Sequence, residues 1–117
     1  MLRLALPFPP TVNNLFVNAR GKGRVPSPGY AAWKREAAFM LGRPDTVRGP
    51  YHLTLIVQRP DRRRRDLDNL IKPLSDALVA CGAVEDDSDC VSLLIKWAEA
   101  PGSAPVTAEI VPMGVAA

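Results

Sequence analysis

Histidine is almost absent from this 117-residue chain, which holds one, and cysteine is scarce, with two. A zinc site built from those ligands is close to excluded, because even a structural site needs four. Cys81 and Cys90 make no disulfide framework, and in a reducing compartment both read as small apolar fillers. Aromatics are sparse at 6%, and Trp33 and Trp97 read as core residues rather than base-stacking platforms. No apolar run approaches the roughly 18 residues of a membrane span. A secretory leader is not expected, because Pro7-Phe8-Pro9-Pro10 cuts short the apolar start Leu2-Arg3-Leu4-Ala5-Leu6. The expected setting is the cytoplasm, with no membrane partner.

Acids are also missing from the first half. Residues 1–59 hold nine Lys/Arg against two acids, and residues 60–72 five against three. Residues 73–117 reverse the balance, with one against seven, so the net charge of +3 conceals two opposed halves. The basic half suits a polyanion, and the acids of the other half serve some other purpose or merely solubilise the surface. Length, together with the absence of any linker or repeat, predicts a single domain over 1–117.

What is abundant is arginine beside aspartate. The run Asp61-Arg62-Arg63-Arg64-Arg65-Asp66-Leu67-Asp68-Asn69 sets four arginines directly before two carboxylates two residues apart. In an extended segment, alternate side chains share a face, so Asp66 and Asp68 converge. Mg²⁺ takes oxygen ligands and needs few carboxylates, leaving places for water and phosphate. Guanidinium groups attract phosphate, so metal and nucleic-acid backbone could meet here, which is the chemistry of a metal-dependent nuclease. Asp87, in the acidic turn 85–89, is a candidate third ligand, with Asp86 its neighbour and rival. Lys72, four residues after Asp68, shares a helical face with it and could support charge developing on a phosphate. Asp61, Asp66 and Asp68 are expected to share in relieving the repulsion among the arginines.

Plainer readings compete. A D-x-D-N sequence at a helix start is often only a cap, and Asp68–Lys72 only a surface pair worth a few tenths of a kcal/mol. An EF-hand loop is rejected, because the sixth position from Asp66 is Ile71 where glycine is needed. A non-catalytic DNA-binding module would use the same arginines without a metal, and a protein-interaction module would use neither.

Periodicity predicts an α+β fold of order β-α-β-α-β-β, a mixed sheet packed with two helices. The strands fall at 2–6, 51–58, 91–98 and 106–111, the last two paired as an antiparallel hairpin. One helix carries Tyr30, Trp33, Ala37 and Met40 inward and stops at Gly42 and Pro44. The other runs from Asp68 to Cys81, with Asp66 or Asp68 as N-cap, Gly82 as the residue after the C-cap, and Pro73 loosening its first turn. Residues 18–29 read as a flexible basic loop carrying Arg20, Lys22 and Arg24. His52 reads as a half-buried strand residue.

These motifs resemble the RusA family of Holliday junction resolvases. The likeness rests on Leu6-Pro7-Phe8-Pro9-Pro10 with Asn13-Asn14, on Asp61 to Leu70 continuing through Lys72 to Asp76-Ala77-Leu78, and on Gly82 with Glu85-Asp86-Asp87. It implies a Mg²⁺-dependent two-fold homodimer that cuts paired strands symmetrically across branched DNA, a four-way junction. On this likeness Asp66, Asp68 and Asp87 hold the metal and Lys72 is the active-site lysine. On the same likeness Arg65 and its neighbours Arg62, Arg63 and Arg64 contact DNA and Asn69 adjoins the acids. Independently of it, Arg20, Lys22 and Arg24 are expected to grip the backbone, with Asn13 and Asn14 as further DNA-binding candidates.

Overall fold

The computed structural model describes residues 1–114. Its four-stranded sheet comprises β1 (Leu2–Leu6), β4 (Tyr51–Val57), β5 (Cys90–Trp97) and β6 (Val106–Pro112), in the order β1-β6-β4-β5. A separate hairpin joins β2 (Phe16–Ala19) to β3 (Gly23–Pro26), and the helices are α1 (Pro28–Leu41) and α2 (Ile71–Ala80). The mixed α+β class and the two helices agree with the sequence; the pairing of the last two strands does not. β5 pairs with β4 in parallel, while β6 runs antiparallel between β4 and β1. The expected β5–β6 hairpin fails because its connection is pinned around the end of β4. Gln58 N–H donates to the Pro105 carbonyl (2.8 Å), its side-chain amide donates to the Ala100 carbonyl (3.2 Å), and Ala98 N–H donates to the Val57 carbonyl (2.8 Å).

One face of the sheet makes the core. Tyr51, Leu53, Leu55 and Val57 alternate inward along β4 and meet Val106, Ala108 and Ile110 of β6, with Leu6 of β1 in the same cluster. Tyr30, Trp33, Ala37 and Leu41 of α1 and Leu74 and Leu78 of α2 cover them. Truncating one such leucine to alanine would cost about 2–5 kcal/mol. Leu41 takes the place expected for Met40, which is partly exposed. Leu41 lies about three full turns beyond Tyr30 and so returns to its side of the helix. Ser27 caps α1, its hydroxyl accepting from Tyr30 N–H (3.1 Å), and Pro28 fills the first helical position.

The basic loop is a hairpin. Val17 pairs with Val25 and Asn18 with Arg24, while Gly21 and Gly23 at positive φ close the turn. The glycines supply turn geometry where mobility was expected. The second helix also divides, with a 3-10 turn over Leu67–Leu70 and α2 starting only at Ile71. Pro73 therefore falls in the first turn of α2, where its missing N–H is needed by no carbonyl. Gly82, at φ +83, follows the helix as expected, and Ala83 N–H bonds back to the Leu78 carbonyl (3.0 Å).

Candidate nuclease site

The carboxylates stand where β4 has ended and α2 has not begun. Asp66 occupies the N-cap position of the Leu67–Leu70 turn in extended geometry, yet its side chain makes no capping bond. Only its carbonyl is engaged, accepting from Asn69 N–H (3.2 Å). The expectation that Asp66 or Asp68 caps the helix therefore fails for both: Asp66 makes no side-chain capping bond, Asp68 lies inside the 3-10 turn, and the N-cap position of α2 is Leu70. Both side chains are exposed, and neither joins an ion pair among the described residues. A carboxylate with neither cap nor cation is free to take a ligand.

Lys72 is not Asp68's partner. Its ammonium lies 3.3 Å from Asp76 Oδ2, one turn further along α2. Asp68 precedes α2 proper, and the 3-10 turn between them breaks the α-helical spacing that predicted the pair.

Asp87 begins a second 3-10 turn (Asp87–Asp89) that leads into β5, and its side chain is exposed. Asp86 caps that turn, accepting from Ser88 N–H at 2.8 Å, and this bond holds its carboxyl below the usual range. Asp86 is thus occupied locally. Asp66 and Asp68 precede α2 whereas Asp87 follows it. Among the described residues no group of three or more Asp, Glu, His or Cys side chains converges closely enough to hold an ion. The free oxygens of Asp66 and Asp68 fit Mg²⁺ by chemistry. The trio is not assembled within one chain.

The arginines divide. Among the described residues Asp61 alone pairs with them, meeting Arg63 (3.1 Å) and Arg65 (2.7 Å), with no help from Asp66 or Asp68. Bonding to Arg65 holds the Asp61 carboxyl far below the usual carboxylate range. Arg62 and Arg64 are exposed and join no ion pair among the described residues. Arg59 lies over the Trp97 ring, 4.3 Å from its centroid, so Trp97 is a half-buried platform for a cation rather than simple core.

Asn13 and Asn14 lie on a turn (Val12–Asn14) that packs against both the Leu67–Leu70 turn, which carries Asp68, and α2. Asn69 is half-buried there. Arg20, Lys22 and Arg24 are exposed on the hairpin, where Arg24 lies over Phe16 (5.4 Å), and Phe16 meets Tyr30 edge-on. His52 is half-buried as expected, its Nδ1 against Ser92 Oγ across the β4–β5 pair. A hollow of about 590 Å³ between α1 and α2 is mostly apolar and borders the site only through Asp76. No helix among the described residues is long and apolar enough to cross a membrane.

The family model for the endodeoxyribonuclease RusA matches residues 7–109. The crossover junction endodeoxyribonuclease RusA of Escherichia coli (strain K12) is 35% identical over 96 residues, covering 75% of each chain. The enzyme of the same name from Enterobacteria phage 82 is 34% identical over 90 residues, again 75% of each. That of Enterobacteria phage HK97 is 28% identical over 103 residues, 86% of each. The match runs from the proline-rich opening through the arginines and acids to the last strand: this chain belongs to the RusA family of endodeoxyribonucleases.

Proposed function

We propose that the protein resolves four-way DNA junctions by paired, symmetric phosphodiester hydrolysis with Mg²⁺ as cofactor. The observation that carries this reading is the pair of exposed, unpartnered carboxylates, Asp66 and Asp68, directly after an arginine run in a chain of this family. Mg²⁺ is commonly held by one or two carboxylates, with water and substrate phosphate in the other places, so the pair suffices to seat it. Asp87 is assigned the third ligand place. Bound there, the ion would activate water and polarise the phosphate.

The chain's own groups do the rest. Arg62 and Arg64 meet phosphates, as do Arg20, Lys22 and Arg24 on the hairpin. These contacts set orientation and supply the salt-dependent part of affinity. Lys72 offers an ammonium to charge growing on the phosphate, at the cost of its bond to Asp76. Asn69, Asn13 and Asn14 add neutral donors beside the acids. The reaction takes place where the DNA is, in the cytoplasm.

A homodimer belongs to the same reading. A junction presents two equivalent strands, and a two-fold pair presents two equivalent sites. The unpaired edge of β5 supports it, with Val91, Leu93 and Leu94 exposed by 48%, 43% and 55%.

One rival has an observation behind it. A non-catalytic module that binds branched DNA is consistent with the acids not forming a group of three. A synthetic four-way junction on a gel, with Mg²⁺ and then with chelator, separates the two. The nuclease gives symmetric nicked products only with the ion, and retarded junction without product under both conditions would overturn it.

A further inference from the structure

Among the described residues Asp61 is the most heavily bonded carboxylate, and the proposed reaction gives it no task. Its Oδ1 accepts from Arg63 N–H (3.0 Å) and Arg65 Nε (3.3 Å), and its Oδ2 from Arg63 Nε (3.1 Å) and Arg65 Nη2 (2.7 Å). Two guanidinium groups close on one carboxyl. Such forked contacts fix direction as well as distance.

The two arginines are held to different degrees. The Arg63 side chain is 80% exposed and that of Arg65 only 20%. Arg65 is covered because its guanidinium also lies over the Phe8 ring, 5.3 Å from the centroid. Phe8 is itself packed against the core, and the neighbouring Pro7 carbonyl accepts the indole N–H of buried Trp33 (3.2 Å). A continuous path therefore leads from the core through the proline-rich segment to Arg65. The next residue is Asp66, whose backbone is extended and whose carboxylate has no bond to steady it.

An exposed ion pair by itself contributes little to stability. A fork from Arg65, a side-chain and a backbone bond from Arg63, and a ring are together a means of placing a loop. We infer that Asp61 is a positioning residue for phosphodiester hydrolysis: by gripping Arg65 against Phe8 it aims the Asp66 and Asp68 carboxylates, and it leaves Arg62 and Arg64 as the cations open to phosphate. The inference rests on the nuclease reading given above.

The test uses the full chain, a synthetic four-way junction and Mg²⁺, with single-turnover cleavage at saturating enzyme and binding measured over a salt series in chelator. Asp61→Asn keeps the shape and loses the charge. Its cleavage rate at saturation is expected to fall roughly 10- to 100-fold, the scale of a misplaced catalytic group. Its binding is expected to gain salt dependence, by up to about 0.9 in log–log slope for each arginine released to a phosphate. Slower cutting with steeper binding is not what unfolding produces, since unfolding weakens both. Arg65→Lys keeps the charge and loses the fork, so its cleavage should fall by a similar factor and the double variant should be no slower than either single. Should Asp61→Asn not fold, Arg65→Lys carries the test alone, and wild-type cleavage by it overturns the inference. Wild-type cleavage by Asp61→Asn overturns it, as do losses that multiply in the double variant, or a flattened salt slope for Asp61→Asn. A wild-type protein that cuts nothing sinks the underlying reading; variants that cut as well as an active wild type sink this one alone.

Discussion

Lys72 and Asp76 are bonded to each other, 3.3 Å apart across one turn of α2, and both are substantially exposed. A pair of this kind contributes a few tenths of a kcal/mol. Asp76→Asn should therefore shift the melting temperature by no more than about 2 °C. Lys72→Ala should lower the saturating cleavage rate by about 10²-fold, the scale of one lost electrostatic donor. Thermal melts beside single-turnover cleavage check both, and a Lys72→Ala protein that cuts normally removes the lysine from the chemistry.

Asp66→Asn and Asp68→Asn should each abolish cleavage while junction binding persists or tightens, because a charge facing phosphate is lost. Asp87→Asn gives a separate answer. As a ligand, Asp87 is as indispensable as the pair; as a turn residue it changes the melting temperature and leaves the cutting rate alone. Mg²⁺ titration of the uncut junction complex is a direct comparison among the three variants. Wild-type cleavage by the Asp66/Asp68 double variant removes the metal assignment.

Burial first, and then the acidic surroundings of Cys90, Asp87, Asp89 and Asp86, push Tyr51 up to about 12 from the ordinary 10.0. The folded protein keeps this phenol proton longer than the unfolded chain. The associated stability is fully present below pH 10 and is lost as the pH rises from there through about 12. Denaturant midpoints between pH 8 and pH 12 should fall more steeply for wild type than for Tyr51→Phe. Parallel curves would show that the phenol does not set the alkaline limit.

Leu94 is more than half exposed on the outermost strand of the sheet. Leu94→Lys should shift a dimer to monomer in analytical ultracentrifugation while the far-ultraviolet spectrum stays unchanged, since charged residues on an edge discourage strand pairing. A wild-type protein that sediments as a monomer at every concentration would remove the two-fold assembly.

Much of the fold can be read from local pattern. Gly42 ends α1, Gly82 ends α2, and the alternation from Tyr51 to Val57 marks a strand with one buried face, whereas Ser27-Pro28, read as part of a loop, starts α1. What escaped was decided by distant partners. Val91 to Trp97 and Val106 to Val111 look like hairpin arms in sequence, but their ladders to β4 place them on its opposite sides, with Gln58 bonded to the loop between them. Gly21 and Gly23 suggested mobility because the Val17–Val25 pairing that makes them a turn spans eight positions.

The site follows the same division. Its residue types, acids beside arginines, are legible at a glance. Which carboxyl binds which cation is not, because the 3-10 turn at Leu67–Leu70 rotates Asp68 out of register with Lys72. Asp61 carried one available signal, an acid two and four residues before arginines.

The strand order carries a last consequence for how the chain comes into being. Among the described residues β6 is the last strand in sequence, yet it lies between β1, the earliest, and the central β4. β4 can pair with β5 once residue 97 has left the ribosome, whereas the other edge of β4, and β1 altogether, wait for β6. The insertion of β6 therefore completes two ladders at once. A chain cut short before Val106 would present two bare strand edges to its neighbours, a template for aggregation rather than a smaller version of the same protein.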